Sequence, residues 1–178
     1  GYIKKTVIGD VMNIKKVRVD KEGTGMGWGA VYAQYLESMD QIGEQGNGLS
    51  VSRQLYKGDE ALNESAPLKV GDKITVRLTV KADRDMDFVQ IKDDRAACME
   101  PLQAVSGFRW SNGLGYYQAT KDASTQFFID QMRKGTYVIE YQVYVNRTGE
   151  YQTGIATVQS AYAPEFGGHT GGYRVMVE

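Results

Sequence analysis

Cysteine is almost missing from this chain: one residue, Cys98, in 178. An internal disulfide and a cysteine-built zinc cluster are therefore excluded, while the redox compartment stays open. Histidine is equally scarce, with His169 alone, so serine-triad chemistry would lack its usual base unless a lysine took the part. No run of about 18 apolar residues exists that could span a bilayer, and no apolar signal core follows Gly1-Tyr2-Ile3-Lys4-Lys5. Gly1 reads as a cloning remnant and the chain as an excised C-terminal piece. An excess of one charge is lacking too, with 21 Lys and Arg against 22 Asp and Glu. Without a basic field to collect phosphates or an anionic membrane, nucleic acid and direct membrane contact are not expected.

What is present suits one large domain, or one domain plus a fragment. The composition is 42% hydrophobic and 24% charged, ordinary for a chain that buries a core. The strongest period is two. Ile74, Val76, Leu78 and Val80 alternate with Lys73, Thr75, Arg77, Thr79 and Lys81, which predicts a strand with one face in a core and one in water, entered through the turn Val70-Gly71-Asp72. Tyr137, Ile139, Tyr141, Val143 and Val145 form a second such face. It stops at Asn146-Arg147-Thr148-Gly149, where Gly149 is free to take positive φ and a hairpin return through Tyr151 to Val158 is expected. Tyr173, Val175 and Val177 repeat the alternation. Shorter strands are expected at 14–19, 30–36, 49–56, 88–91 and 126–130, with turns at 23–29, 43–48, 83–87, 111–115 and 167–172. No long amphipathic helix pattern interrupts them, and helix is confined to a turn or two near 38–42. The fold class is all-β, an immunoglobulin-like antiparallel β-sandwich with at most short helical turns. The glycine-rich stretch at 43–48 suggests a division into 1–42, leader strands or the closing strands of a preceding β-domain, and 43–178, the sandwich.

Several constellations invite chemistry. Gly25-x-Gly27-x-x-Ala30 formally matches a dinucleotide fingerprint, but no βαβ alternation surrounds it and Trp28 is bulky where a pyrophosphate must approach. It reads as a glycine-rich turn, and no cofactor is expected. Asp83, Asp85 and Asp87, with Asp94 further on, have the spacing of a calcium loop. Phe88 stands where that loop needs glycine, so a solvated acidic turn is expected and no metal site. Cys98 and His169 could be a nucleophile and base only if folding joined them; Cys98 reads as a small buried hydrophobe and His169 as a loop residue. The sequons Asn63-Glu64-Ser65 and Asn146-Arg147-Thr148 read as turn residues. No catalytic residue is expected. Phe108-Arg109-Trp110-Ser111-Asn112-Gly113-Leu114-Gly115-Tyr116-Tyr117 sets four aromatics around a polar tip, the composition of a protein or sugar contact.

The run Ala66-Pro-Leu-Lys-Val-Gly-Asp-Lys-Ile-Thr-Val-Arg-Leu-Thr-Val-Lys-Ala-Asp-Arg-Asp-Met-Asp-Phe-Val89, followed by Asp94-Arg95 and Glu100-Pro101, resembles the C-terminal, tenth macroglobulin-like domain of bacterial alpha-2-macroglobulins. Phe128-Ile129-Asp130, Lys134 to Tyr141 and Ala161-Tyr162-Ala163-Pro164-Glu165-Phe166-Gly167-Gly168 follow in the family's order. Segments 27–35 and 49–56 also resemble it, and residues 1–26 less clearly. The resemblance implies a non-enzymatic module of an exported, periplasmic or cell-envelope protease trap, anchored as a lipoprotein elsewhere in the parent chain. Such a protein offers a bait segment to proteases and in some members carries a thioester. The implied partners are the thioester domain and the neighbouring β-domain of the same polypeptide, with proteases held by the full-length protein. A thioester needs Cys-x-Glu-Gln, and Cys98-Met99-Glu100-Pro101 lacks the glutamine, so Cys98 is not a thioester cysteine. The candidate contact residues are Tyr162, Pro164, Glu165 and Phe166 in the closing loop, then Trp110, Tyr116 and Tyr117. The competing reading is an independent adhesion or carbohydrate-binding module using the same aromatic loop.

Overall fold

The structure is a computed structural model and describes residues 2–9, 13–63 and 66–178. It divides into two units, 1–36 and 37–178. In the first unit every described residue is exposed and none lies in a strand. The strands expected at 14–19 and 30–36 therefore do not form. A strand must pair its backbone N–H and C=O groups, and this short segment has no ladder of its own to supply partners.

The second unit carries fourteen strands among the described residues, preceded by a single 3₁₀ turn at Met39–Gln41. They are β1 (Gln45–Asn47), β2 (Leu49–Lys57), β3 (Glu60–Ala61), β4 (Lys73–Ala82), β5 (Met86–Asp94), β6 (Met99–Pro101) and β7 (Gly107–Ser111). The rest are β8 (Leu114–Thr120), β9 (Ser124–Met132), β10 (Gly135–Val145), β11 (Gly149–Gln152), β12 (Ala156–Ser160), β13 (Gly167–His169) and β14 (Arg174–Val177). One antiparallel path runs β6-β10-β4-β2-β1-β13-β12-β5-β9-β8-β7, with β3 on β2, and β11 pairs β14 in a separate ribbon. Among the described residues no helix is long and apolar enough to cross a membrane.

The path folds over to make two layers, β6-β10-β4-β2 against β12-β5-β9-β8-β7. The period-two faces read from the sequence are the inner faces. Ile74, Val76, Leu78 and Val80 of β4 and Ile139, Tyr141, Val143 and Val145 of β10 are buried, and they meet Val89 and Ile91 of β5 and Phe127 and Ile129 of β9 in one core. Burying each such side chain contributes about 1.5–3 kcal/mol. Contact between the layers is direct, since the rings of Phe127 and Tyr141 lie 5.9 Å apart.

The fold-over is made by glycine. The stretches 43–48 and 167–172, expected as turns, instead supply β1 and β13, paired Gly46 to Gly168. A Cβ on Gly168 would sit 2.7 Å from the carbonyl oxygens of Gln45 and Leu49, closer than van der Waals contact allows. Only glycine lets the two chains approach this tightly.

The hairpin expected after β10 is also corrected. Gly149 does take positive φ, 133°, but the chain leaves for β11, whose partner is β14. Asn146 holds the corner, donating its N–H to the Cys98 carbonyl at 2.9 Å and its side-chain amide to Glu100 Oε1 at 3.2 Å. β10 already has β4 along one edge and β6 along its end, so no free edge remains there for a returning strand.

Between the layers sits a buried polar cluster. Arg53 of β2 donates to Asp93 Oδ1 of β5 at 2.6 Å, to Thr153 Oγ1 at 3.1 Å and to the Gly154 carbonyl at 2.6 Å. Tyr141 of β10 donates its hydroxyl to the other Asp93 oxygen at 2.7 Å. Burial opposes the Arg53 charge, and Asp93 more than offsets that, holding the guanidinium more firmly protonated than usual. Burial, reinforced by the Asp93 charge, pushes the Tyr141 phenol well above its ordinary range.

Candidate functional site

The aromatics singled out in the sequence fall on two parts of the β12-β5-β9-β8-β7 layer. At one end, Asn112 and Gly113 take φ of 50° and 78°, the two-residue turn that closes a tight β7–β8 hairpin. Directly opposed residues in an antiparallel pair share a face. Phe108 opposes Tyr117, and Tyr117 opposes Phe128, so three aromatics cross three strands in one row on the outer face. Phe108 and Tyr117 meet edge to face at 5.1 Å. Trp110, two residues from Phe108, joins the same face. Its indole covers Gly115, where a Cβ would come within 2.8 Å of the ring. Exposure is 78% for Phe108, 77% for Trp110, 36% for Tyr117 and 39% for Phe128.

Tyr116 is a correction. Alternation turns it to the opposite face from Tyr117, where it is 6% exposed and packs edge to face on Phe127 at 5.7 Å. It belongs to the core, and burial raises its phenol pKa; no partner can reach it.

At the other end of the layer, Tyr162 is 80% exposed and meets Phe88 edge to face at 5.1 Å. Phe88 itself is half exposed and adopts φ of 52°, an uncommon conformation for a bulky residue that costs on the order of 1–3 kcal/mol. The Ala161 N–H bonds its carbonyl at 2.9 Å, tying the closing loop to this strained position. Pro164 and Glu165 are exposed, and the Glu165 carbonyl accepts from Asn47 Nδ2 at 2.7 Å. Phe166 does not project outward. It packs against the core beneath the Arg84 guanidinium, 4.7 Å from its ring, and serves as the loop's anchor.

Phe88 and Phe128 escaped the sequence reading as contact residues. The signal for Phe128 was available: with Phe127 and Ile129 flanking it, alternation sends one phenylalanine inward and its neighbour out.

The other constellations separate. Cys98 is buried beside β10, and burial pushes its thiol pKa up. His169 lies on β13 in an open groove of about 600 Å³ with Gln45, Asn47, Thr157, Gln159 and Pro164, and its Nδ1 faces the Thr170 carbonyl at 3.2 Å. The fold does not bring the two together. Asp83 is paired with Arg84 at 2.8 Å, and Asp85 accepts the Lys134 N–H at 2.7 Å. Among the described residues no group of three or more His, Cys, Asp or Glu side chains converges on a metal position. Of the sequon 63–65, residues 64 and 65 lie outside the described residues.

A family model for the bacterial alpha-2-macroglobulin MG10 domain matches residues 48–165, well over half of the chain. The chain belongs to this MG10 family. Its fold agrees with solved alpha-2-macroglobulins. The Escherichia coli protein from domain MG7 to the C-terminus is 17% identical with a TM-score of 0.64, over 76% of this chain and 24% of that one. The E. coli protein activated by porcine elastase is 16% identical with a TM-score of 0.66, over 77% of this chain and 14% of that one. The Salmonella protein reacted with methylamine is 20% identical with a TM-score of 0.63, over 76% and 10%. A curated relative, circularly permutated Ras protein 2 of Dictyostelium discoideum, is 28% identical over 166 residues, 89% of this chain and 4% of that protein. In every case the MG10 chain spans a small part of its relative. It is a module of the bacterial alpha-2-macroglobulin family.

Proposed function

We propose that this MG10 module is a non-catalytic docking domain that packs on the rest of its own polypeptide and shields the thioester domain there from water. The observation that carries the reading is the outer face of the β12-β5-β9-β8-β7 layer. Phe108, Trp110, Tyr117 and Phe128 crowd one end, and Phe88 with Tyr162 crowd the other. Exposed aromatic clusters of this kind mark interaction sites, and a few aromatic anchors dominate the energetics of such interfaces. Family membership supports a partner within the same polypeptide. Solved E. coli relatives were activated by trypsin and by elastase, which supports capture of proteases by the full-length trap. The parent protein is exported, resides in the periplasm or cell envelope and carries a lipoprotein anchor outside this chain. Within 1–42, the part that precedes residue 37 supplies closing strands to the neighbouring β-domain.

The test is association of the 178-residue chain with the remainder of its polypeptide, followed by calorimetry. Saturable binding that weakens about tenfold or more in Tyr162→Ala or Trp110→Ala is expected. Absence of association, with affinity for a glycan in its place, would sink the docking reading.

A further inference from the structure

The edge of β7 carries a second kind of recognition, through its backbone, beside the aromatic face. β7 ends the hydrogen-bonded path and pairs with β8 alone. In a two-residue hairpin the residues flanking the turn, Ser111 and Leu114, exchange hydrogen bonds, and the ladder alternates from there. The backbone groups of Arg109 are thus turned toward β8. Those of Phe108 and Trp110 point outward, two N–H and two C=O groups in line. Phe108, Arg109 and Trp110 are all exposed, so no neighbouring segment covers them.

The strand is also held in shape for a partner. Its turn is fixed by Asn112 and Gly113, Trp110 is braced over Gly115, and the Asn112 side chain reaches the Val138 carbonyl of the other layer at 3.4 Å. Arg109 sits on the face opposite Phe108 and Trp110. Its hydrogen bond is a long one, 3.4 Å to the Val105 carbonyl, and among the described residues no carboxylate pairs with it. An inward-facing charge of this sort blunts an edge against indiscriminate pairing. A second copy pairing antiparallel about Arg109 would set two guanidiniums face to face, which is unfavourable.

We infer that β7 is a strand-addition edge that accepts an extended segment of a separate polypeptide, with an acidic residue opposite Arg109 and apolar residues opposite Phe108 and Trp110. The unpaired backbone row recognises any strand. The lone guanidinium selects an acidic one, and the exposed rings select apolar flanks. The inference shares the Phe108 and Trp110 rings with the docking face, but its backbone pairing and its Arg109 contact do not depend on the docking role.

The probe is an end-blocked peptide with a central glutamate flanked on each side by valine and then threonine, alongside its lysine counterpart, each titrated into the full 178-residue chain. The expected result is saturable binding with the glutamate peptide favoured by about tenfold, and slowed hydrogen exchange at the Phe108 and Trp110 amides. Arg109→Glu, a surface change that leaves the hairpin intact, is expected to reverse the order of the two peptides. Equal binding of both peptides, or binding without protection of those two amides, overturns the inference. So does protection that rises with protein concentration alone, which would make the edge a self-association site. Oligosaccharide binding at Trp110 in place of peptide would overturn it too.

Discussion

Arg53 Nη1 and Asp93 Oδ1 lie 2.6 Å apart in the middle of the sandwich, with side chains 5% and 1% exposed. One belongs to β2 and the other to β5, so the pair spans the two layers. Both oxygens of Asp93 are used, the second by the Tyr141 hydroxyl. Removing either charge leaves the other buried and unpaired, which costs about 3–5 kcal/mol. Asp93→Leu and Arg53→Met are each expected to lower the urea midpoint by that equivalent. The double variant Arg53→Met with Asp93→Leu is expected to cost much less than the sum, because no orphaned charge remains. A double-mutant cycle in urea measures the difference.

Tyr141 gives a pH dependence. Its folded-state pKa is raised by burial and by Asp93, so the folded protein keeps a proton that the unfolded chain loses near its ordinary value of about 10. Stability from this group is therefore fully present below pH 10 and declines as pH rises through the gap. Cys98, raised by burial, acts in the same direction from about pH 9. Tyr141→Phe is expected to flatten the alkaline decline while costing about 1–2 kcal/mol at neutral pH for the lost hydrogen bond. Urea titrations at neutral pH and above pH 10 check both parts.

The glycine corner makes a steric prediction. Gly168→Ala forces a Cβ against two carbonyl oxygens at 2.7 Å and is expected to cost on the order of 1–3 kcal/mol. Gly43→Ala meets nothing within 4 Å and has no positive φ, so it should fall within about 0.5 kcal/mol of the parent. Thermal melts of the two variants separate these cases.

Cys98 should behave as a buried structural thiol. With its pKa pushed up and its side chain enclosed, iodoacetamide labelling at neutral pH is expected to follow the rate of unfolding and to jump in denaturant. Rapid labelling of the folded protein would contradict that burial.

The inner faces of β4 and β10 were legible in the sequence because alternation over eight or more residues has one consistent explanation. What the alternation cannot supply is the partner. The corner after Val145 has hairpin chemistry, yet β11 pairs β14, because pairing follows whichever edge is free. The strands expected in residues 1–36 fail for the same reason. Arg53 and Asp93 did leave a trace. Arg53 falls in phase with Val51 and Leu55, and Asp93 with Val89 and Ile91, so two opposite charges stood at inward positions of separate strands. Among the candidate contact residues, Tyr116 and Tyr117 are neighbours of identical type. Sequence composition could not divide them, whereas the register of β8 sends one inward and one out. Of the calcium-like spacing, Asp83 is engaged by Arg84 and Asp85 by the Lys134 N–H, while Asp87 and Asp94 lie in β5.

The central claim is that the aromatic outer face docks on the rest of the polypeptide. Phe128 lies at the β9 end of the aromatic row and is 39% exposed, so Phe128→Lys places a charge in the proposed interface and leaves the core untouched. The direct measurement is calorimetric binding of this variant to the remainder of the parent chain, with its thermal melt recorded alongside. The account predicts an unchanged melt and a loss of affinity of about tenfold or more. Full affinity with Phe128→Lys in place would contradict it.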